Sequence, residues 1–169
     1  MRPGSTACDR FNTWFAKPIA KLKELPEGDG GYAALMIALP LYERYIIGKL
    51  KLNHEATDED SIKKEIAADL GLDDVQRSIF WDMCRNGFMH GAMAKAGRTQ
   101  FLVSDRFGEI PVFGKLDGHP CVCLDPWKFA ERVIGRFTAN PQLITASESF
   151  PLADVCFFEL SQKGASESK

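Results

Sequence analysis

The fold is decided by the stretch DDVQRSIFWDMCRNGFMH, which covers residues 73–90. Asp73 and Asp74 favour a helix start, because their carboxylates can pair with free backbone N–H groups and with the positive end of the helix dipole. Apolar residues then recur at the three- and four-residue spacing of an amphipathic helix: Val75, Ile79, Phe80 and Met83. The pattern predicts one long helix that continues through His90 to about Lys95.

Four further helices are predicted from the same spacing and from capping residues. They cover residues 9–25, 32–52, 58–70 and 127–138. The helix over 32–52 is nearly all apolar in its first half, which is typical of the central helix of a bundle. Pro18 should split or kink the first helix, and Pro40 should bend the second, because proline lacks an N–H and crowds the preceding turn.

Short β-like runs stand between the motif helix and the last helix. They occupy residues 99–104, 109–113 and 120–124, and Asp117-Gly118 is a typical hairpin turn. We therefore predict a mainly α fold, a helical bundle with an appended small antiparallel β-meander over about 99–124. Residues 1–160 should form a single domain, followed by a disordered tail over 161–169.

The composition gives no strong sign of a binding partner. The chain has 169 residues, a hydrophobic fraction of 45% and a formal net charge of −2, which suit one ordinary globular domain. A nucleic-acid binder usually carries a basic surface, so any RNA contact here has to come from a local patch.

The five cysteines indicate free thiols in a reducing compartment. Their number is odd, and no apolar signal segment stands at the N-terminus, so we predict a cytoplasmic protein. We predict no membrane span, because the most apolar run, residues 32–41, is too short to cross a bilayer. His119, Cys121 and Cys123 share one face of a strand, but a zinc site needs a fourth ligand. No metal and no cofactor are therefore expected.

The residues that carry chemistry form the sequence Arg85-Asn86-Gly87-Phe88-Met89-His90. This segment resembles the HEPN superfamily, whose helical motif is an Arg, usually followed by a polar residue such as Asn, and then a His after four intervening residues. The resemblance covers residues 32–138. It implies a HEPN-like helical bundle, a homodimer formed through the motif helix, and metal-independent cleavage of RNA. In several toxin-like members a Tyr stands two residues past the His, whereas this chain has Ala92.

Side-chain chemistry agrees with that implication. His90 is suited to move protons near neutral pH, and Arg85 offers a permanent charge that matches phosphate oxygens. Asn86 would orient His90 or the scissile phosphate. Residues five apart diverge by about 140° on an α-helix, so Arg85 and His90 can converge only through a local distortion at Gly87 or through a second copy of the motif.

Weaker candidates and alternatives remain open at this point. Lys95 and Arg98 could extend a cationic patch toward the RNA backbone. An endoribonuclease in a defence or toxin–antitoxin setting, with an antitoxin or other protein partner, is the favoured function. The alternatives are a non-catalytic HEPN-like module that binds nucleotide, RNA or protein, and an inert domain in which Asn86 bonds His90 in the core and the charges stabilise the helix end.

Overall fold

The computed structural model describes residues 6–90 and 98–145, without the side chains of residues 85 and 88–90. The predicted tail over 161–169 lies outside these residues. The helices are α1 Ala7–Phe11, a π-helical turn Asn12–Ala16, α2 Lys17–Leu22, a 3-10 turn Pro26–Gly28, α3 Gly31–Leu52, α4 Glu59–Leu70, α5 Asp74–Trp81, the motif π-helix Asp82–His90, α6 Pro126–Ala139 and α7 Gln142–Thr145. Three strands complete the fold: β1 Gln100–Val103, β2 Val112–Leu116 and β3 His119–Leu124. Among the described residues, no helix has both the length and the apolar character that a bilayer span requires.

The N-terminal helical segment, predicted over 9–25, is continuous from Ala7 to Leu22 and changes its winding just before Pro18 instead of dividing into two helices. Thr6 and Asp9 form a reciprocal capping box at the start of α1. The chain then passes through the π-helical turn before α2, in which Pro18 is the second residue. Proline crowds the carbonyl four residues before it, here that of Trp14, and the wider π-helical turn accommodates this crowding.

Helix α3 is the centre of the bundle, as its apolar sequence predicts. It continues through Pro40 and packs mainly against α6. The rings of Tyr42 and Phe129 meet edge-on with their centroids 5.4 Å apart, and those of Tyr45 and Phe137 do so at 5.8 Å. These contacts bury the apolar stripe of α6 against α3. The packing of α6 on the central helix therefore follows from the apolar faces of the two helices.

Side-chain caps fix where the next helices begin. Asp58 accepts a bond from the Ser61 N–H at the start of α4, and Gly71 ends that helix with φ 66°. Asp125 caps α6 by accepting bonds from the N–H groups of Trp127 and Lys128. The predicted helices over 58–70 and 127–138 are therefore confirmed to within two residues at either end.

The predicted antiparallel meander is wrong, because the sheet is mixed and has the order β1-β3-β2. β2 and β3 do form the expected hairpin, with Asp117 and Gly118 at positive φ in a two-residue turn. β1, however, pairs with β3 in parallel and is separated from β2 by β3. Because β3 is the central strand, it is buried from Cys121 to Leu124, and its residues Val122 and Leu124 belong to the main core.

A buried ion cluster ties three helices together around Asp69, whose side chain is only 6% exposed. Its carboxylate accepts a 2.8 Å bond from the Tyr42 hydroxyl and pairs with Arg132 at 3.3 Å and Arg136 at 2.6 Å. Arg132 also pairs with Glu109 at 2.8 Å, which links the cluster to the chain before β2. Burial and the neighbouring carboxylate raise the pKa of the Tyr42 hydroxyl well above its usual value, so it stays a neutral donor.

We expect Asp69→Ala to lower the free energy of unfolding by roughly 3–5 kcal/mol, because it leaves Arg132 and Arg136 without a buried counter-charge. Urea unfolding followed by circular dichroism measures this loss. The matched control is Asp74→Ala, since Asp74 is 89% exposed and pairs only at the surface with Arg77 at 3.2 Å. The control should change stability by less than about 1 kcal/mol. Equal effects for the two variants would contradict the structural role of the cluster.

Candidate active site

The motif lies on a π-helix that continues directly from α5. Asp73 and Gln76 form a capping box that fixes the start of α5. The helix runs to Trp81 with α-helical bonding and then changes to π-helical bonding from Asp82 to His90. The predicted helix is present up to His90, but its last nine residues are wound differently from the predicted α-helix. The predicted end at about Lys95 lies outside the described residues.

This change of winding reduces the angle around the helix axis between the backbone positions of Arg85 and His90. In a π-helix each N–H bonds the carbonyl five residues earlier, so backbone positions five apart lie one turn apart on the same side. An α-helix would place the same two positions about 140° apart. The local distortion that the sequence requires for convergence is therefore present in the backbone, and it extends over a whole segment on both sides of Gly87.

Asn86 is exposed and hydrogen-bonded within its own helix. Its Nδ2 donates to Oδ1 of Asp82 at 3.1 Å. The alternative in which Asn86 forms a bond inside the core is wrong, because its side chain is on the surface. Asp82 is a candidate site residue that the sequence did not lead us to expect. The four-residue spacing between an Asp and an Asn in one helix was the signal that could have found it.

The start of the π-helix is held by the bundle. Trp81 is 4% exposed, and the ammonium of Lys63 on α4 lies 5.2 Å from its ring centroid. Cys84 is buried, and burial raises the pKa of its thiol far above the usual value. Tyr42 and Glu43 on α3 share with Trp81 and Cys84 the wall of a cavity of about 20 Å³. That volume holds about one water molecule, so this cavity is too small for a nucleotide.

The other predicted site residues are only partly placed. Arg98 is exposed two residues before β1, and Lys95 lies outside the described residues. His119 is exposed, whereas Cys121 and Cys123 are buried with their sulfurs 4.0 Å apart. Among residues 6–90 and 98–145, no three metal-binding side chains form a group that could hold an ion.

Comparisons of the chain with protein families, curated proteins and solved structures gave no match. The interpretation of the site therefore depends on its own residues and geometry.

The thiol beside the motif should be unreactive in the folded protein. Thiolate is the reactive form, and burial raises the pKa of Cys84 far above normal and that of Cys123 to about 11. At pH 8 we expect iodoacetamide to modify the half-buried Cys8 at least about tenfold faster than Cys84 or Cys123. Mass spectrometry of the digested protein measures each site. Modification of Cys84 as fast as Cys8 would show that the motif helix does not hold this thiol in the core.

Proposed function

We propose that this chain is a HEPN-like, metal-independent endoribonuclease. The observation that carries the proposal is the π-helical winding of Asp82–His90, which brings the backbone positions of Arg85 and His90 one turn apart. π-Helical segments are uncommon and occur frequently at functional sites. The resemblance of Arg85-Asn86-x3-His90 to the HEPN motif supplies the reaction.

In this proposal His90 acts as general acid/base, and Arg85 stabilises the negative charge on the phosphoryl oxygens. His90 takes the proton of a ribose 2′-hydroxyl, and the oxygen attacks the adjacent phosphorus. The bond from phosphorus to the 5′-oxygen breaks, and that oxygen takes a proton from the acid, which is a second His90 in the dimer proposed below. The products are a 2′,3′-cyclic phosphate and a 5′-hydroxyl. The guanidinium of Arg85 pairs with the phosphoryl oxygens, whose negative charge increases in the transition state.

RNA binding in this account is local and electrostatic. The chain has a net charge of −2, so attraction must come from cations close to the motif. We propose Lys95 and Arg98 for this role, since both follow the motif and Arg98 is exposed. A defence or toxin–antitoxin setting, with a protein partner that controls cleavage, suits a nuclease of this type.

Cleavage is tested with purified protein and single-stranded RNA in the presence of EDTA. The wild type should produce fragments with 2′,3′-cyclic phosphate ends. Loss of a catalytic acid/base costs on the order of 10²–10⁴ in rate, so His90→Ala should nearly abolish cleavage. Arg85→Ala should cause a comparable loss, because the growing negative charge on the phosphoryl oxygens is then unpaired.

Two matched variants control for the loss of a histidine or an arginine outside the motif. His119→Ala removes an exposed histidine at the start of β3, and Arg77→Ala removes the arginine at the fourth position of α5. Both should cleave at the wild-type rate. RNA binding without cleavage by the wild type would favour a non-catalytic module, and neither binding nor cleavage across a broad RNA panel would refute the nuclease.

We also propose that the protein is a homodimer with the motif helices facing each other. A second His90 would then provide the acid that a single histidine cannot supply while it holds the 2′-proton. Light scattering at high micromolar concentration should give twice the mass of 18.8 kDa. A monomer that cleaves RNA with full activity would contradict the proposed dimer and leave the nuclease in place.

A further inference from the structure

Two thiols lie side by side on the face of the sheet that is turned away from the main core. Val122 and Leu124 of β3 belong to that core. Side chains alternate between the two faces along a strand, so Cys121 and Cys123 project from the opposite face. Only 5% and 7% of their surfaces are exposed, and their sulfurs are 4.0 Å apart. The strand therefore presents a dithiol whose two sulfurs are already adjacent.

The side of this dithiol next to β2 is exposed. In the hairpin register Gly114 stands opposite Cys121, and Val112 stands opposite Cys123. Gly114 is exposed and has no side chain, and a Cβ built there would lie 3.8 Å from the Cys121 sulfur. Val112 is 50% exposed. A small ion therefore has a path to the two sulfurs from the β2 side.

The spacing of the two sulfurs fits two ligands of one metal ion. A bond between a metal and a thiolate is about 2.3 Å long, so two sulfurs on opposite sides of one ion are about 4.6 Å apart. The observed separation of 4.0 Å corresponds to an angle of about 120° at the ion. The two thiols can thus ligate one ion with little movement of the strand.

The number and the kind of ligands select the ion. A structural zinc site takes four ligands, and the part of the chain that the structure describes has no group of three metal-binding side chains. His119 shares the strand face with the two cysteines but is exposed and belongs to no such group. Soft thiolate ligands favour Cu(I), which is stable with two or three ligands. A pair of thiolates therefore suits Cu(I) better than zinc.

We propose that Cys121 and Cys123 form a binding site for Cu(I), in which both thiolates ligate one ion. Each thiol gives its proton to solvent when the ion binds, so two thiols and one Cu(I) yield a complex of charge −1 and two protons. Burial and the contact with Cys121 raise the pKa of the Cys123 thiol to about 11, so it stays protonated until a cation stabilises the thiolate. This site is separate from the proposed cleavage of RNA.

Competition with the coloured Cu(I) chelator bicinchoninate, under anaerobic conditions with ascorbate, measures the affinity. The full chain carries Cys8→Ser and Cys156→Ser as a background, which removes two other thiols that could hold copper. This protein should take one equivalent of Cu(I) from the chelator. Loss of an outer partner of a metal ligand typically costs about 10–100-fold in affinity, so loss of a ligand, by Cys121→Ser or Cys123→Ser, should cost at least about a hundredfold.

The matched control is His119→Ala, which removes the third metal-binding residue of the same strand face and should leave the affinity unchanged. Circular dichroism checks the fold of each variant. X-ray absorption at the copper edge of the loaded background protein gives the ligands without a further variant and should show two sulfurs. Unchanged affinity in both serine variants, a comparable loss in His119→Ala, or copper without two sulfur ligands would overturn the proposal.

Discussion

The arrangement of the bundle depends on the carboxylate of Asp69. This buried charge sits at the end of α4 and is compensated by Tyr42 on α3 and by Arg132 and Arg136 on α6. A buried carboxylate without these partners is strongly unfavourable, so the cluster favours the packing of α3, α4 and α6 that brings the partners together. Through Glu109 the same cluster reaches the segment that precedes β2.

The fixed bundle in turn holds the helix that carries the motif. Trp81 is the last α-helical residue before the change of winding, and it is buried under Lys63 of α4. Cys84 is buried beside Tyr42, one of the partners of Asp69. These contacts anchor the inner side of the segment, whereas Asp82 and Asn86 remain at the surface. The packed inner side therefore fixes the positions from which the outer side chains of the segment project.

Local signals in the sequence predicted helices α3 to α6 and the turn between β2 and β3, but they missed α7 and placed the middle strand at 109–113 instead of Val112–Leu116. Asp58, Asp73 and Asp125 act as caps, and Gly71 ends α4, because each of these effects involves residues within one turn of each other. The parallel pairing of β1 with β3 was not predictable in the same way, since its register joins residues 100 and 121 and no local turn encodes it. The cluster at Asp69 was missed for the same reason, as its partners are 27 to 67 residues away. For the candidate site, Arg85, Asn86 and His90 were predicted from the sequence motif, but the motif could not distinguish π-helical from α-helical winding. The two differ only in which carbonyl each N–H bonds, and tertiary packing decides between them.

The site depends on the π-helical conformation of the motif, in which the backbone positions of Arg85 and His90 lie on consecutive turns at one side of the helix. Scalar coupling across backbone hydrogen bonds, measured by NMR on the isotope-labelled protein, tests it directly. In the π-helix the amide nitrogen of His90 should couple to the carbonyl carbon of Arg85, the residue five positions earlier. Coupling to the carbonyl carbon of Asn86 instead, four positions earlier, would show an ordinary α-helix and rule out the π-helical winding.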